Sequence, residues 1–380
     1  MAVKHNTRAH ASLSASSSAR WLKCPPSAQL NASVPDVTTD FAKEGTCAHE
    51  LAEYKVNRLL GIEDEDPSDK LEFFDQEMQD CTDDYAQYIA EIIARSDHPQ
   101  VLVEQRLDFS KYVPEGFGTG DCVIVADDVL TVVDYKHGKG VAVSSERNPQ
   151  MMLYALGALD LFDMLYDIST VNMVIFQPRL NNISEYTMPL TELLDWAENE
   201  LKPRAALAAK GEGEYKAGNH CRFCKVRATC RKRAEYSLIL AQYDFAPAAT
   251  LEDVEIEAIL EKADALTAWA ADVKEYALSQ ALSGKQWNGY KVVEGKSVRK
   301  YTDEAKVADA VKAIGKNPYG EPEVLGITAM TKLLGGKKKF DEILGELTHK
   351  PQGKPTLVPS SDKRKAWNPA SEDFKEDARS

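Results

Sequence analysis

Two short apolar runs, separated by a single pair of aspartates, constrain this chain more than any other feature. Cys122 to Ala126 and Val129 to Tyr135 are rich in β-branched residues, and Asp127-Asp128 between them has the composition of a two-residue turn. This predicts a β-hairpin whose register follows from the turn. Ala126 falls opposite Val129, Val125 opposite Leu130, Cys122 opposite Val133, and Asp121 opposite Asp134. Directly opposed side chains sit about 5 Å apart, and like charges there are destabilising. Two acids at the end of an apolar ribbon therefore call for a positive partner.

The flanking pattern places that ribbon in a larger layer. Upstream, Thr46 to Leu60 has helical spacing at Ala48, Leu51, Ala52, Val56, Leu59 and Leu60, with Gly61 as the stop. Phe73 to Ala94 reads as a second helix and Val101 to Leu107 as a strand. Downstream, Asn148 to Leu165 is helical, Val171 to Gln177 and Ile183 to Met188 are strands, and Thr191 to Lys210 is helical. The order predicts an α/β fold with a mixed central sheet flanked by helices, filling residues 1–240. Within it, the first 45 residues form a polar lead-in with one short helix around Trp21, ended by Pro25-Pro26. After it, a long helix is expected within 250–285. A small α+β extension follows over 286–350, with Tyr290–Val293 and Arg299–Tyr301 as its β-pair, then an extended or disordered tail over 351–380.

Charge is distributed unevenly. The net charge of −14 argues against a protein that coats nucleic acid, but not against one that holds it in a local basic groove. Residues 63–84 hold eleven acids, whereas Tyr215 to Ala234 contains none and carries Arg222, Lys225, Arg227, Arg231, Lys232 and Arg233. Lys337–Lys339 and Lys363–Lys365 read as solvated basic surface. No apolar run approaches bilayer length, and Met1 to Arg20 lacks an apolar signal region. The expectation is a cytoplasmic protein with no membrane partner.

Seven cysteines in a cytoplasmic chain point away from a disulfide framework. Cys221-x-x-Cys224 and Cys230 are close together among basic residues and have ligand spacing. Cys24, beside Trp21 and Pro25, is the best candidate for a fourth thiolate. Cys47, Cys81 and Cys122 sit inside helix or strand patterns and read as small core residues.

Lys136 lies two residues past Asp134, so the two share a strand face. An Asp-x-Lys alone is most often a solvated strand end. Opposed to Asp121, it becomes a place for Mg²⁺ or Mn²⁺, which take hard oxygen ligands. The metal would activate a water at a phosphodiester, and the lysine would orient that water or stabilise the transition state.

The run Gly118-Thr119-Gly120-Asp121, then Asp134-Tyr135-Lys136, then Gln150 and Tyr154 resembles the motifs of the PD-(D/E)XK nuclease superfamily. The Gln-x-x-x-Tyr pair is similar to its RecB-like branch, and Gly45-Thr46-Cys47-Ala48-His49-Glu50 fits that branch's upstream histidine. The resemblance implies a restriction-endonuclease-like fold. It makes His49, Asp121 and Asp134 metal ligands together with the backbone carbonyl of Tyr135, and Lys136 the catalytic lysine. Gln150 and Tyr154 would position the lysine or the DNA. Glu104, on the preceding strand, is placed to join the metal shell directly or through water. The histidine tilts the metal choice toward Mn²⁺. One cysteine before the core and three after it resembles the AddB-type and CRISPR-associated RecB-like nucleases. That resemblance implies a four-iron four-sulfur cluster on Cys24, Cys221, Cys224 and Cys230, with zinc as the alternative. Arg222, Lys225, Arg227 and Arg231 would then contact DNA phosphates. The whole chain is also similar to a phage and prophage family of RecB-like nucleases, including the segment from Lys350 to Pro359. That implies an exonuclease in phage DNA recombination or replication, working with a strand-annealing protein in the host cytoplasm. Two other readings remain open: a catalytically inactive nuclease fold used for DNA binding or assembly, and a zinc-stapled structural protein.

Overall fold

The hairpin forms in the expected register, with Ala126 paired to Val129 and Cys122 to Val133 around an Asp127 held at φ +55°. The computed structural model describes residues 11–35, 39–162, 165–238, 253–295, 299–319, 324–349, 355–359 and 365–366. It divides into two units, Met1–Ile259 and Leu260–Ser380. A short 3₁₀ turn, Ala15–Ser17, leads into α1 (Ser18–Trp21) and α2 (Ser27–Ala32). Then come α3 (Asp40–Leu59), α4 (Gln76–Arg95), β1 (Gln100–Asp108), β2 (Phe117–Ala126), β3 (Val129–Tyr135) and α5 (Pro149–Phe162). The first unit continues through β4 (Thr170–Gln177), β5 (Asn182–Pro189), α6 (Leu190–Trp196), α7 (Lys202–Lys210) and α8 (Arg231–Ser237). A π-helical stretch, Ala197–Leu201, joins α6 to α7 just ahead of Pro203, whose nitrogen has no hydrogen for the helix ladder. Helix α2 was not expected, because Pro25-Pro26 reads as a stop. The prolines instead end α1 and precede a second short helix.

The five strands form one mixed sheet in the order β1-β2-β3-β4-β5. All neighbours are antiparallel except β3 and β4, which run parallel and are connected through α5. Helices cover both faces. On one face Val123, Val125, Leu130 and Val132 pack with α5, whose Met151 to Leu159 run is buried throughout. On the other face Cys122, Ile124, Val133, Tyr135, Val174 and Phe176 pack with α3 and α4 through Ala48, Leu51, Val56, Met78, Tyr85 and Ile89. Helix α3 begins earlier than its apolar spacing implied, because Thr39 caps it by accepting a bond from the Ala42 amide. Its last turn turns outward: Leu59, expected on the core face, is exposed.

Gly157 and Gly118 set how closely α5 lies on the sheet. A Cβ at Gly157 would stand 2.9 Å from Leu107 Cβ and 3.1 Å from its carbonyl carbon. A Cβ at Gly118 would stand 2.7 Å from the Tyr154 ring. The glycines of the Gly-Thr-Gly-Asp run therefore let α5 press its Gln150–Tyr154 end onto β2.

The second unit holds most of α9 (Asp253–Leu282), then β6 (Tyr290–Glu294), β7 (Lys300–Tyr301), α10 (Glu304–Ala313), α11 (Ile327–Leu333), α12 (Lys337–Leu344), β8 (Thr348–His349) and β9 (Pro355–Pro359). Val307, Val311, Met330, Leu334, Phe340 and Leu344 make its core. The expected β-pair is corrected here. Tyr290–Glu294 pairs with Pro355–Pro359, and Lys300–Tyr301 pairs with Thr348–His349, so neither strand pairs with the other. The tail thus contributes a strand at 355–359. Lys363 and Arg364 lie outside the described residues. Among the described residues, no helix is long and apolar enough to cross a membrane.

Candidate active site and cysteine cavity

Three acids line up across three strands at the end of the hairpin. The β1–β2 pairs Val103–Cys122 and Gln105–Gly120 bracket Glu104 and Asp121, placing one across from the other. The β2–β3 register, running to Cys122–Val133, brings Asp121 level with Asp134. There the ladder changes. The Tyr135 amide donates to Asp121 Oδ2 at 2.7 Å, so a side-chain carboxylate takes a bond that a backbone carbonyl would otherwise accept. Glu104 adopts φ +46°, a left-handed conformation that costs a non-glycine residue free energy and that clusters at functional sites.

His49 and Lys136 flank this row from two directions. Helix α3 brings His49 Nδ1 to 3.3 Å from Asp121 Oδ1 and 4.0 Å from Glu104 Oε1. The imidazole meets the Tyr135 ring edge-on, at 5.6 Å between centroids. Lys136 Nζ lies 3.0 Å from Asp134 Oδ1 and 2.8 Å from Oδ2. From α5, Gln150 Nε2 donates to Asp134 Oδ1 at 2.9 Å and contacts the Tyr154 hydroxyl at 3.4 Å. Every residue expected at this centre is therefore present, in two linked groups. His49, Glu104 and Asp121 gather on one side; Asp134, Lys136, Gln150 and Tyr154 gather on the other. Glu50 is exposed and takes no part.

The charges shape one another. Burial alone would lower His49, but the Asp121 carboxylate overrides it and pushes the imidazole up to about 9. Burial, then Asp121, pushes Glu104 up to about 7. Burial acts to raise Asp121, yet the His49 and Lys136 cations outweigh it and hold that carboxyl below its ordinary range. Asp134 is raised, by burial first. Lys136 resists its own burial and sits above the usual lysine value because Asp134 and Asp121 hold its charge. In this state a proton on His49 occupies the place where the acids need a cation.

The donor set fits a divalent ion. His49, Glu104 and Asp121 each offer a ligand atom, and these lie within 4.8 Å of one another. Adjacent ligands of an octahedral ion are roughly 3 Å apart, comparable to the 3.3 Å between His49 Nδ1 and Asp121 Oδ1. Asp134 Oδ2 is buried and lacks a hydrogen-bond partner of good geometry, leaving a carboxylate oxygen with spare capacity beside the group. The Tyr135 backbone belongs here through its amide, while its side chain lies in the opposite core and its hydroxyl meets His137 Nδ1 at 2.9 Å.

A second polar group, not foreseen in the sequence, locks this region from behind. Arg179 donates to Glu44 at 2.7 Å and pairs with Glu77 at 2.8 Å, tying the β4–β5 turn to α3 and α4. His137 Nε2 lies 3.6 Å from the same Glu44 carboxylate. Glu44 is five residues before His49 on α3, so this clamp helps fix the helix that carries the imidazole.

The four expected cysteines do converge. Cys24, Cys221, Cys224 and Cys230 line one cavity with Arg20, and none is in a disulfide. Asn31 on α2 seals it: its amide donates to Cys224 Sγ at 3.2 Å, and its carbonyl accepts from the Lys225 amide at 2.7 Å. Arg20 donates to the Ser27 carbonyl at 2.7 Å, and thiols Cys224 and Cys24 act on it electrostatically. Cys81 and Cys122 are buried core residues, while Cys47 is half-buried. Of the basic residues expected at DNA, Arg222 and Arg231 are exposed. Arg227 lines the cysteine cavity, and Lys225 donates to the Val34 carbonyl at 2.9 Å.

Among solved structures, one titled "Crystal structure of SSO0001" is similar at 13% identity and a TM-score of 0.22, over 57% of this chain and 96% of that one. A family described as protein of unknown function (DUF2800) matches residues 10–365. That match takes in the acid row, the cysteine cavity and most of the second unit, and the chain belongs to this family.

Proposed function

We propose that this protein is a metal-dependent DNA nuclease of the RecB-like, PD-(D/E)XK kind, acting on DNA ends. The observation that carries the reading is the row Glu104–Asp121–Asp134 across β1, β2 and β3, with His49 on one side and Lys136 and Gln150 on the other. The mixed five-stranded sheet with helices on both faces supports a restriction-endonuclease-like assignment. His49, Asp121 and Asp134 would hold Mn²⁺ or Mg²⁺, with the Tyr135 carbonyl, and Glu104 would join them directly or through a water. Such an ion supplies an activated water and neutralises charge on the phosphate.

The chain's own groups then divide the remaining work. Lys136, kept cationic by two carboxylates, donates toward the phosphate and stabilises its added negative charge rather than removing a proton. Glu104, across from Asp121 on β1, is placed to accept the proton of the attacking water. One P–O bond forms between the water oxygen and phosphorus, the P–O bond to the next nucleotide breaks, and the leaving oxygen takes a proton from solvent water, while Glu104 returns its proton to solvent. Gln150 and Tyr154 hold Asp134 in place from α5.

Cys24 is remote in sequence from Cys221, Cys224 and Cys230 yet lines one cavity with them, which supports a four-iron four-sulfur cluster, with zinc as the alternative. The cluster would tie the lead-in to the segment after α7, bracketing the nuclease core. A cytoplasmic role in phage DNA recombination or replication, beside a strand-annealing protein, follows from the same reading.

The test is a cleavage assay on end-labelled linear and closed circular DNA, with Mn²⁺, Mg²⁺ or EDTA, using anaerobically purified protein. Linear DNA should be degraded only with metal. Asp134→Ala and Lys136→Ala should each lose at least about 100-fold in rate while staying folded. Cleavage in EDTA, or wild-type rates from either variant, overturns the proposal. Tight DNA binding without any cleavage would favour the inactive DNA-binding module instead.

A further inference from the structure

We propose that a groove beside the cysteine cavity is a path for a single DNA strand, with Phe223 as the platform on which one base stacks. The choice of ligand rests on the nuclease reading; the groove itself rests on separate residues. It has a volume of about 610 Å³. Ser12, Ser14, Ser16 and Ser17 from the lead-in and Phe223 and Lys225 from the cysteine segment line it. Arg20 and His220 also line it, and among the described residues no Asp or Glu does. In a chain of net charge −14 this is a local reversal of sign, matched to a polyanion.

Phe223 is 75% exposed, although an aromatic ring normally gains from burial. Its position is nonetheless fixed, because it sits between the buried Cys221 and Cys224 in the Asn219–Phe223 turn. The Arg222 guanidinium lies 5.7 Å from its ring centroid, on the same exposed turn. An exposed ring on an anchored turn, with a neighbouring cation, is the arrangement that stacks an unpaired base, since every base presents a π-face and a duplex hides it. The lead-in hydroxyls are anchored too. Ser14 donates to the Ser17 hydroxyl at 2.9 Å, and Trp21 Nε1 donates to the Ser14 carbonyl at 3.1 Å. Hydroxyls and backbone amides of this kind contact phosphate and sugar without reading sequence.

The serine turn is also linked to the catalytic row through β2 and α5. Ala15, between Ser14 and Ser16, is buried against β2: a Cβ at Gly118 would stand 3.7 Å from Ala15 Cβ and 2.7 Å from the Tyr154 ring. One turn therefore carries the groove's serines and touches the Tyr154–Gln150–Asp134 arm.

Fluorescence anisotropy tests this with a labelled single-stranded oligothymidylate and a matched duplex, in EDTA so that nothing is cleaved. The variants are Phe223→Ala, Phe223→Leu, Phe223→Trp and Ser16→Glu in the full-length protein. Loss of one stacked base should weaken single-strand binding by roughly 5- to 100-fold in Phe223→Ala. Phe223→Trp should retain binding, Phe223→Leu should not, and duplex binding should barely change. Ser16→Glu sets a negative charge in the groove lining and should weaken binding most at low salt. The proposal falls if wild type does not bind the single strand, if Phe223→Ala binds like wild type, or if leucine serves as well as tryptophan. Because the readout is binding without metal, failure of the nuclease reading leaves these outcomes intact. A variant that still cleaves but binds unchanged removes the groove alone.

Discussion

Replacing Glu104 by glutamine separates the metal-site reading from a purely structural one, because the two predict opposite signs. In the metal-free protein, burial and Asp121 push the Glu104 carboxyl from 4.5 up to about 7. The folded state therefore keeps this proton where the unfolded chain has released it, and between those values stability falls as pH rises. The rise corresponds to about 3 kcal/mol of disfavoured ionisation. The side chain is 28% exposed, and solvent screening leaves about 1–2 kcal/mol. Glutamine keeps the shape and removes the charge. E104Q should thus be more stable than wild type by about 1–2 kcal/mol near pH 8.5, a rise in Tm of about 2–6 °C, and equal to it near pH 4.5. Mn²⁺ should reverse the order. Wild type should gain stability on binding, whereas a tenfold weaker site in E104Q forfeits about 1.4 kcal/mol of that gain. Thermal unfolding at both pH values, with EDTA and with Mn²⁺, reads all four quantities. An E104Q protein that is less stable at both pH values, yet keeps the full Mn²⁺ gain, refutes the reasoning.

Three further outcomes follow from the same geometry. Gly118→Ala puts a methyl group 2.7 Å from the Tyr154 ring; it should cost about 1–3 kcal/mol in denaturant unfolding and lower metal-dependent cleavage without changing the metal ligands. Because Asp121 holds His49 protonated up to about 9, metal binding below that pH should expel close to one proton. Titration calorimetry near pH 7.5 in buffers of different ionisation enthalpy should show it, and buffer-independent heats would remove the histidine from the ligand set. Cys24→Ser should abolish the visible absorption of the anaerobically purified protein, whereas Cys122→Ser, in the sheet core, should perturb stability and leave the absorption in place.

Much of the site is legible in the sequence because it is built from local geometry. The Asp127-Asp128 turn sets the β2–β3 register, and that register brings Asp121 level with Asp134 and puts Lys136 on the same face. Helical spacing turns Ala48, Leu51 and Val56 toward the sheet, which carries His49 with them to the rim. What stays hidden depends on contacts between distant segments. Nothing near Asn31 announces that it will bond Cys224, 193 residues away in sequence. The Arg179 clamp joins a turn to two helices that precede it by a hundred residues or so, so no local pattern points to it. The left-handed Glu104 is likewise invisible, since period-two alternation assumes regular backbone. In the second unit, β6 and β7 look like a hairpin only because they are neighbours in sequence. Their partners come from β9 and β8 at the far end of that unit, and strand pairing at long range leaves no local trace.

The central claim is that one divalent ion sits among His49, Asp121 and the acids flanking it, within reach of Lys136. Anomalous scattering from crystals soaked in Mn²⁺ locates that ion directly. The geometry requires a peak roughly 2.0–2.3 Å from His49 Nδ1 and an Asp121 oxygen, absent in Asp121→Asn. A peak elsewhere, or none at Mn²⁺ concentrations that support cleavage, would contradict it.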